Sequence, residues 1–368
     1  MTGNASIKLS EMEMKAVSTL VSRFPWNVAR PIISALGFQG GKGKEATQEK
    51  IVEELIKLKE INKKKFDSSI GKINDLILGQ IIYGDKALFS FSVDVAIINK
   101  TLNSIANKWA ATTKPTVISQ IIMTDKEVDA APKNNLALSY CASDSNQCLI
   151  IFSSVREQKI RERLLPSSVP GYGDYDEIVA TKKEKRQCFD VCIFDKNNAR
   201  IHLLVDASNG VVSDNVLFAK NSVIRELYNF NGNQFSVKEK DFFDLIEPIF
   251  EQNQPPFTTA SYKVFDLSFV TPEGTTHKEK KSNSSMDLRD DLFNKEGIKA
   301  VGNIGLYRIG IRVEREDASL NLDDNVELVI PGSLRRYNAG SSGDAVNYAI
   351  ISKCISRKDF EDLTKLIL

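Results

Sequence analysis

The chain has 368 residues, with 49 Lys+Arg against 48 Asp+Glu, 42% hydrophobic and 26% charged residues. These values exclude wholesale disorder and a histone-like polycation, and the length predicts two domains or one large domain with an appendage. They leave room for a local basic surface, because net charge carries no information about distribution.

Several function classes are disfavoured from the start. No stretch approaches the roughly 18 apolar residues that span a bilayer, and the longest apolar run, residues 76–82, is interrupted by Gly79 and Gln80. The opening MTGNASIKLSEMEMK has no apolar signal-peptide core. Five cysteines in a chain of this length do not form a disulfide framework, so a reduced, cytoplasmic protein without a membrane segment is expected. Cys141 and Cys148, and Cys188 and Cys192, lack CxxC-type spacing and read as core thiols. No metal or other cofactor is expected. The two histidines, His202 in the alternating IHLLV and His277 in the charged loop THKEKK, leave little for histidine-based catalysis.

The predicted elements begin with helices. Ser10 and Glu13 have capping-box spacing. WNVARPIISALGF predicts a helix capped by Asn27, with Pro31 in or near its first turn and Gly37 at its end. After a glycine-rich turn, EATQEKIVEELIKLKEINKKKF is strongly amphipathic. A fourth helix is predicted over residues 67–81. From Lys86 the period changes: KALFSFSVD alternates, IINKTLNSIANKWA reads as a helix, and LALSYCA and CLIIFSSV form a hairpin across DSNQ. Residues 156–165 read as a short helix and LPSSVPGYGDYD as a loop. DEIVAT, CFDVCIFD and ARIHLLVDA read as three strands, followed by a helix from Ser213, its N-cap, to Tyr228. Beyond the linker EQNQPPFTTA come a strand (SYKVFDLSFVT), a helix (SSMDLRDDLFNKEG), three further strands and the closing helix KDFEDLTKLIL.

The fold class expected is therefore α+β. A helical bundle over residues 1–85 precedes a central α+β domain over 86–250 and a C-terminal α+β domain over 251–368. The sheet is largely antiparallel with covering helices, and the last two parts are able to pack as one unit.

No nucleotide-binding loop is predicted. In GFQGGKGKE, Lys42 stands where a P-loop needs its second glycine, and no Ser or Thr follows at the required place. What remains is a turn presenting Lys42 and Lys44. Lys63, Lys64 and Lys65 follow the third predicted helix, and with Lys57 and Lys59 they could share one positive face of the bundle with Lys42 and Lys44. Residues 1–85 hold 13 Lys+Arg against 10 Asp+Glu. A second group comes from VREQKIRERL and TKKEKRQ: Arg156, Lys159, Arg161 and Arg163, with Lys182, Lys183, Lys185 and Arg186. Arg156, Lys159 and Arg163 recur at helical spacing, and the hairpin geometry could join the two segments. HKEKK with Arg335 and Arg336 forms a weaker third group. Asp190, Asp195 and Asp206 on adjacent strands are the carboxylates that a metal-dependent nuclease could use.

The helical opening FPWNVARPIISALGFQ…QEKIVEELIKL and the later QPPFTTASYKVFDLSF resemble the layout of the centromere protein N family. The resemblance implies a pyrin-like helical domain before a sheet-containing domain, binding DNA and histones, and no functional residue is carried over from it.

The leading expectation is a non-enzymatic nucleic-acid-binding or assembly protein. It would contact DNA or RNA phosphates through Lys42, Lys44, Lys63–Lys65, Arg156, Lys159, Arg163, Lys182, Lys183, Lys185 and Arg186. One alternative is an adaptor subunit of a larger defence or regulatory complex, docking a protein partner on an exposed face of Phe360, Leu363 and Ile367. The other is the metal-dependent nuclease.

Overall fold

The structure is a computed structural model that describes residues 7–24, 26–111, 115, 117–144, 146–208, 213–232, 235–281, 286–315 and 325–368. Its first part is a helical bundle: α1 (Glu11–Arg23), α2 (Trp26–Ala35), α3 (Lys44–Ile61) and α4 (Lys63–Tyr83). The capping box is present, with the Ser10 side chain accepting from the Glu13 N–H and the Glu13 carboxylate accepting from the Ser10 N–H. Helix α2 starts at Trp26, so Asn27 lies inside it rather than at its cap, and Pro31 sits in mid-helix. There Pro31 has no N–H to donate to the carbonyl of residue 27. Asn62 ends α3 and also caps α4, its side chain accepting from the Lys65 N–H. Lys63–Lys65 therefore open a helix instead of trailing one.

The strands build one antiparallel sheet. Strand β1 (Lys86–Ser92) is followed by α5 (Val95–Ala110), α6 (Asp125–Ala130), β2 (Ala137–Ser143), β3 (Gln147–Leu164), β4 (Ile178–Asp195) and β5 (Arg200–Asp206). Next come α7 (Ser213–Phe230), the short β6 (Lys238–Glu239), α8 (Ile246–Glu251), β7 (Lys263–Val270) and β8 (Thr276–Lys280). The chain closes with α9 (Leu292–Val301), β9 (Gly305–Glu314), β10 (Asn325–Ile330), α10 (Leu334–Asn338), β11 (Ala349–Ser352) and α11 (Arg357–Thr364). The order is β2-β3-β4-β5-β1-β11-β10-β9-β7-β8, with β6 on β1. Strand β1 pairs with β5 on one side and β11 on the other, so strands of the central and C-terminal parts share one sheet. The PP-containing segment between them is anchored by Phe257, which is buried.

Alternation along the strands splits the core into two layers. Leu88, Val191, Leu204 and Ile351 face the bundle, α8 and α11. Phe89, Phe91, Phe152, Cys192 and Leu203 face α5 and α7, which contribute Ile98, Ile105, Val216, Val223 and Leu227. Each such side chain contributes about 1.5–3 kcal/mol on burial.

Three expectations are corrected. Residues 156–165 do not form a helix: β3 continues unbroken to Leu164, because β4 offers a partner at every position from Gln147–Asp195 to Leu164–Ile178. DEIVAT and CFDVCIFD are the two ends of the single strand β4. His277 lies in the edge strand β8 and stacks on Phe269 with ring centroids 4.8 Å apart. The predicted cap side chain of Ser213, the hairpin residue Ser145 and the Ser284–Ser285 start of the expected later helix lie outside the described residues.

Candidate nucleic-acid interface

Beyond the sheet, β3 and β4 continue alone as a two-stranded ribbon. Strand β2 pairs with β3 only as far as Ser153, and β5 pairs with β4 only from Val191 onward. Residues 157–164 and 178–185 therefore have no further strand beside them among the described residues, and eight residues at 3.3 Å carry the ribbon about 26 Å outward. No Gly or Pro interrupts either strand here, so the ladder propagates from the buried half into the charged half.

Register sorts the charges. Residues directly opposite in an antiparallel pair share a face. One face carries Lys159 opposite Lys183, Arg161 opposite Thr181, Arg163 opposite Val179, and Glu157 opposite Lys185. That is five cations with one carboxylate. The other face carries Arg156 opposite Arg186, Gln158 opposite Glu184, Ile160 opposite Lys182, and Glu162 opposite Ala180. There Lys182 sits 2.7 Å from both Glu162 and Glu184, which neutralise it. The two predicted basic segments thus come together, but the shared helical face of Arg156, Lys159 and Arg163 does not exist. In a strand, Arg156 points opposite to Lys159 and Arg163.

On the cationic face, Glu157 binds Lys183 at 3.1 Å and also pairs with Lys133. Arg163 pairs with Glu177 at 2.7 Å while staying 83% exposed. The Lys185 ammonium donates to the carbonyls of Asp129 and Ala131. The Lys159 and Arg161 side chains have no hydrogen-bond or ion-pair partner among the described residues.

At the ribbon's root a cluster of buried charges fixes its attachment. Arg156 bonds Asp190, whose other oxygen accepts from the Asp206 N–H at 3.0 Å. Asp206 accepts from Arg23 of α1 at 2.8 Å, from the Phe189 N–H at 2.9 Å and from Ser208. Lys86, 1% exposed, donates to the Phe189 carbonyl at 2.8 Å. Burial pushes the Asp206 carboxyl up, but Lys86, Arg23 and Arg186 together hold it well below the usual carboxylate range. Burial pulls the Lys86 ammonium down, with Asp206 opposing. The same burial drives the Cys188 thiol up to about 12. Cys148, Cys192 and Cys354 sit in the apolar layers with Cys141 packed against one of them, as expected, whereas Cys188 is buried beside the charge cluster.

Between α1, the start of α3 and the root of β4 lies a cleft of about 850 Å³. Its walls bring Lys15, Arg23 and Lys44 together with Lys185 and Arg186, against Glu11, Asp125 and Glu184. Lys44 and the ribbon thus converge. Lys42 is exposed on the turn beside Lys44. Lys63–Lys65 lie at the far end of α3, whose 18 residues separate them from Lys44 by about 27 Å. One continuous positive face of the bundle is therefore absent. Lys15 and Arg23 had no sequence signal, since only tertiary packing sets α1 beside β4. Arg161 was visible in sequence but fell outside the supposed helical face.

The three aspartates are not assembled into one site. Asp190 and Asp206 are engaged by Arg156, Arg23 and backbone N–H groups. Asp195 lies five residues along β4 from Asp190, about 17 Å away, and organises the turn by accepting from Asn197 and Asn198. The proposed docking face of α11 is also overturned. Phe360, Leu363 and Ile367 are buried, with Phe360 packed 5.4 Å from the Tyr83 ring. No described helix is long and apolar enough to cross a membrane.

No family model matches the chain, and no curated protein matches it.

Proposed function

We propose that the protein binds nucleic acid through the Lys159–Arg161–Arg163–Lys183–Lys185 face of the ribbon, as a binding or assembly module rather than a catalyst. The observation that carries this reading is the β3–β4 register, which gathers five cations and one carboxylate on one face. A two-stranded ribbon is narrow enough for a major groove, and lysines and arginines along it neutralise phosphates whatever the base sequence. Lys44 and Arg186 in the cleft extend the positive track toward the bundle.

The test is fluorescence anisotropy with a labelled duplex at about 50 mM salt. The triple variant Lys159→Glu, Arg161→Glu, Lys183→Glu is expected to lose at least about tenfold in affinity, or about 1.4 kcal/mol. Lys182→Ala, on the neutralised face, should stay within about twofold. Equal losses in both variants, or no binding by the wild type, would overturn the reading.

A protein-partner role keeps one specific observation. Leu292 and Phe293, adjacent at the start of α9, are each 74% exposed. Loss of a co-purifying protein on Leu292→Ser, Phe293→Ser would support that second reading, and an unchanged set of co-purifying proteins would remove it.

A further inference from the structure

The ribbon's end is chemically unlike its shaft. The loop over residues 165–177 holds Asp174, Asp176 and Glu177 and no Lys or Arg. It exposes Leu165 (73%), Tyr175 (59%) and Tyr172 (48%), the two tyrosine rings lying 5.4 Å apart. An acidic, aromatic tip is a poor match for phosphates and a good match for a cationic pocket with apolar walls. The cleft at the ribbon's root is such a pocket: Lys15 and Arg23 are held by Glu127 and Asp206 and Lys185 by backbone carbonyls, but Lys44 and Arg186 have no carboxylate ion-pair partner among the described residues, and Met14, Phe24, Ile122, Met123 and Val128 also line it. The tip cannot reach its own cleft, because about 26 Å of stiff ribbon separates the two. A second copy can supply it.

We propose that two copies associate with their ribbons antiparallel, each acidic–aromatic tip seated in the other's cleft. Among the described residues, the outer edge of β4 has no partner strand before Val191. Edge-to-edge pairing of two β4 strands about a twofold axis at Lys183 satisfies those free backbone groups. Lys182 then faces Glu184 of the second copy, and Ile178 faces Cys188. Ala180 faces Arg186, and the loop beyond Ile178 runs on past Cys188 toward Arg23 and Ser208, which cluster with Asp206 at Phe189 and line the cleft. Each Lys183 meets its own copy at the axis with Glu157 beside it at 3.1 Å, which offsets the like charge.

This arrangement also addresses the ribbon's stability. A lone two-stranded hairpin is marginal in water, whereas four strands form a sheet. The ribbon and loop over residues 157–185 provide the roughly 20–30 residues a side of a standard interface. Because paired residues share a face, the two cationic faces fall on the same side of the four-stranded sheet.

The experiment uses the full chain without nucleic acid. Sedimentation velocity is expected to show a dimer. Tyr172→Ser with Tyr175→Ser, both on exposed positions, should weaken it at least about tenfold. Lys183→Cys should give a covalent dimer with oxidised glutathione, since directly opposed strand residues lie at about 4.5–5.5 Å, within disulfide range. Arg161→Cys, off the axis, should not. A wild-type monomer, a dimer indifferent to the tyrosines, or equal cross-linking at both positions would overturn the proposal. A monomer that still binds duplex would overturn this proposal alone and leave the nucleic-acid reading standing.

Discussion

At the residue scale, the root of the ribbon depends on Asp206. Its carboxylate is the shared acceptor for Arg23, the Phe189 N–H and Ser208 and the countercharge acting most strongly on Lys86. Removing one member of a buried charge network leaves the others uncompensated, which costs about 3–5 kcal/mol. Asp206→Asn is expected to lose stability in that range by urea titration. A loss below about 1 kcal/mol would show that the network does not hold the ribbon. His202 gives a pH signature. It is 9% exposed, its Nδ1 has no hydrogen-bond partner among the described residues, and burial pushes its pKa down to about 4. The unfolded chain protonates this histidine near pH 6.5, so stability falls as pH drops through the window from about 6.5 to 4, by about 2 kcal/mol between pH 7 and 5. His202→Gln should flatten that interval, and an unchanged slope would contradict the assignment.

At the element scale, what could be read in the sequence depended on burial. Strands with one or two apolar faces, such as KALFSFS in β1 and IHLLV in β5, show their period directly. The outer ribbon has both faces in water, so no apolar alternation marks it, and VREQKIRERL suits a charged helix as well as a strand. The missing information was the long-range pairing to TKKEKRQ. The pairing also relocates the site: helical spacing joins Arg156 to Lys159 and Arg163, whereas strand alternation joins Lys159 and Arg163 to Arg161, Lys183 and Lys185. The C-terminal helix shows the reverse ambiguity. Its amphipathic face was clear in the sequence, but a helix docked on its own core and a helix awaiting a partner share that pattern. With Leu363 fully buried, Leu363→Ala should cost about 2–5 kcal/mol of stability while leaving nucleic-acid affinity of the folded protein unchanged. Weaker duplex binding by the folded variant would put α11 in the interface.

At the scale of the whole molecule, the near-zero net charge conceals a distribution that only the fold makes visible. The sheet continues from the central part into the C-terminal part through β1 and β11, and the bundle covers one of its faces. That frame holds the ribbon by buried ion pairs and projects it past its neighbours β2 and β5. Its cations are not drawn from one segment of sequence: β3 supplies three and β4 supplies two, with α1 and α3 adding more at the cleft.

The salt dependence of duplex binding tests this most directly. Five cations facing phosphates release counterions, so log affinity should fall against log salt with a slope of about −4.5. The Lys159→Glu, Arg161→Glu, Lys183→Glu variant should reduce that slope by about 3, and Lys182→Ala should leave it in place. A wild-type slope near zero, or one that the triple variant does not change, would contradict a phosphate-binding ribbon.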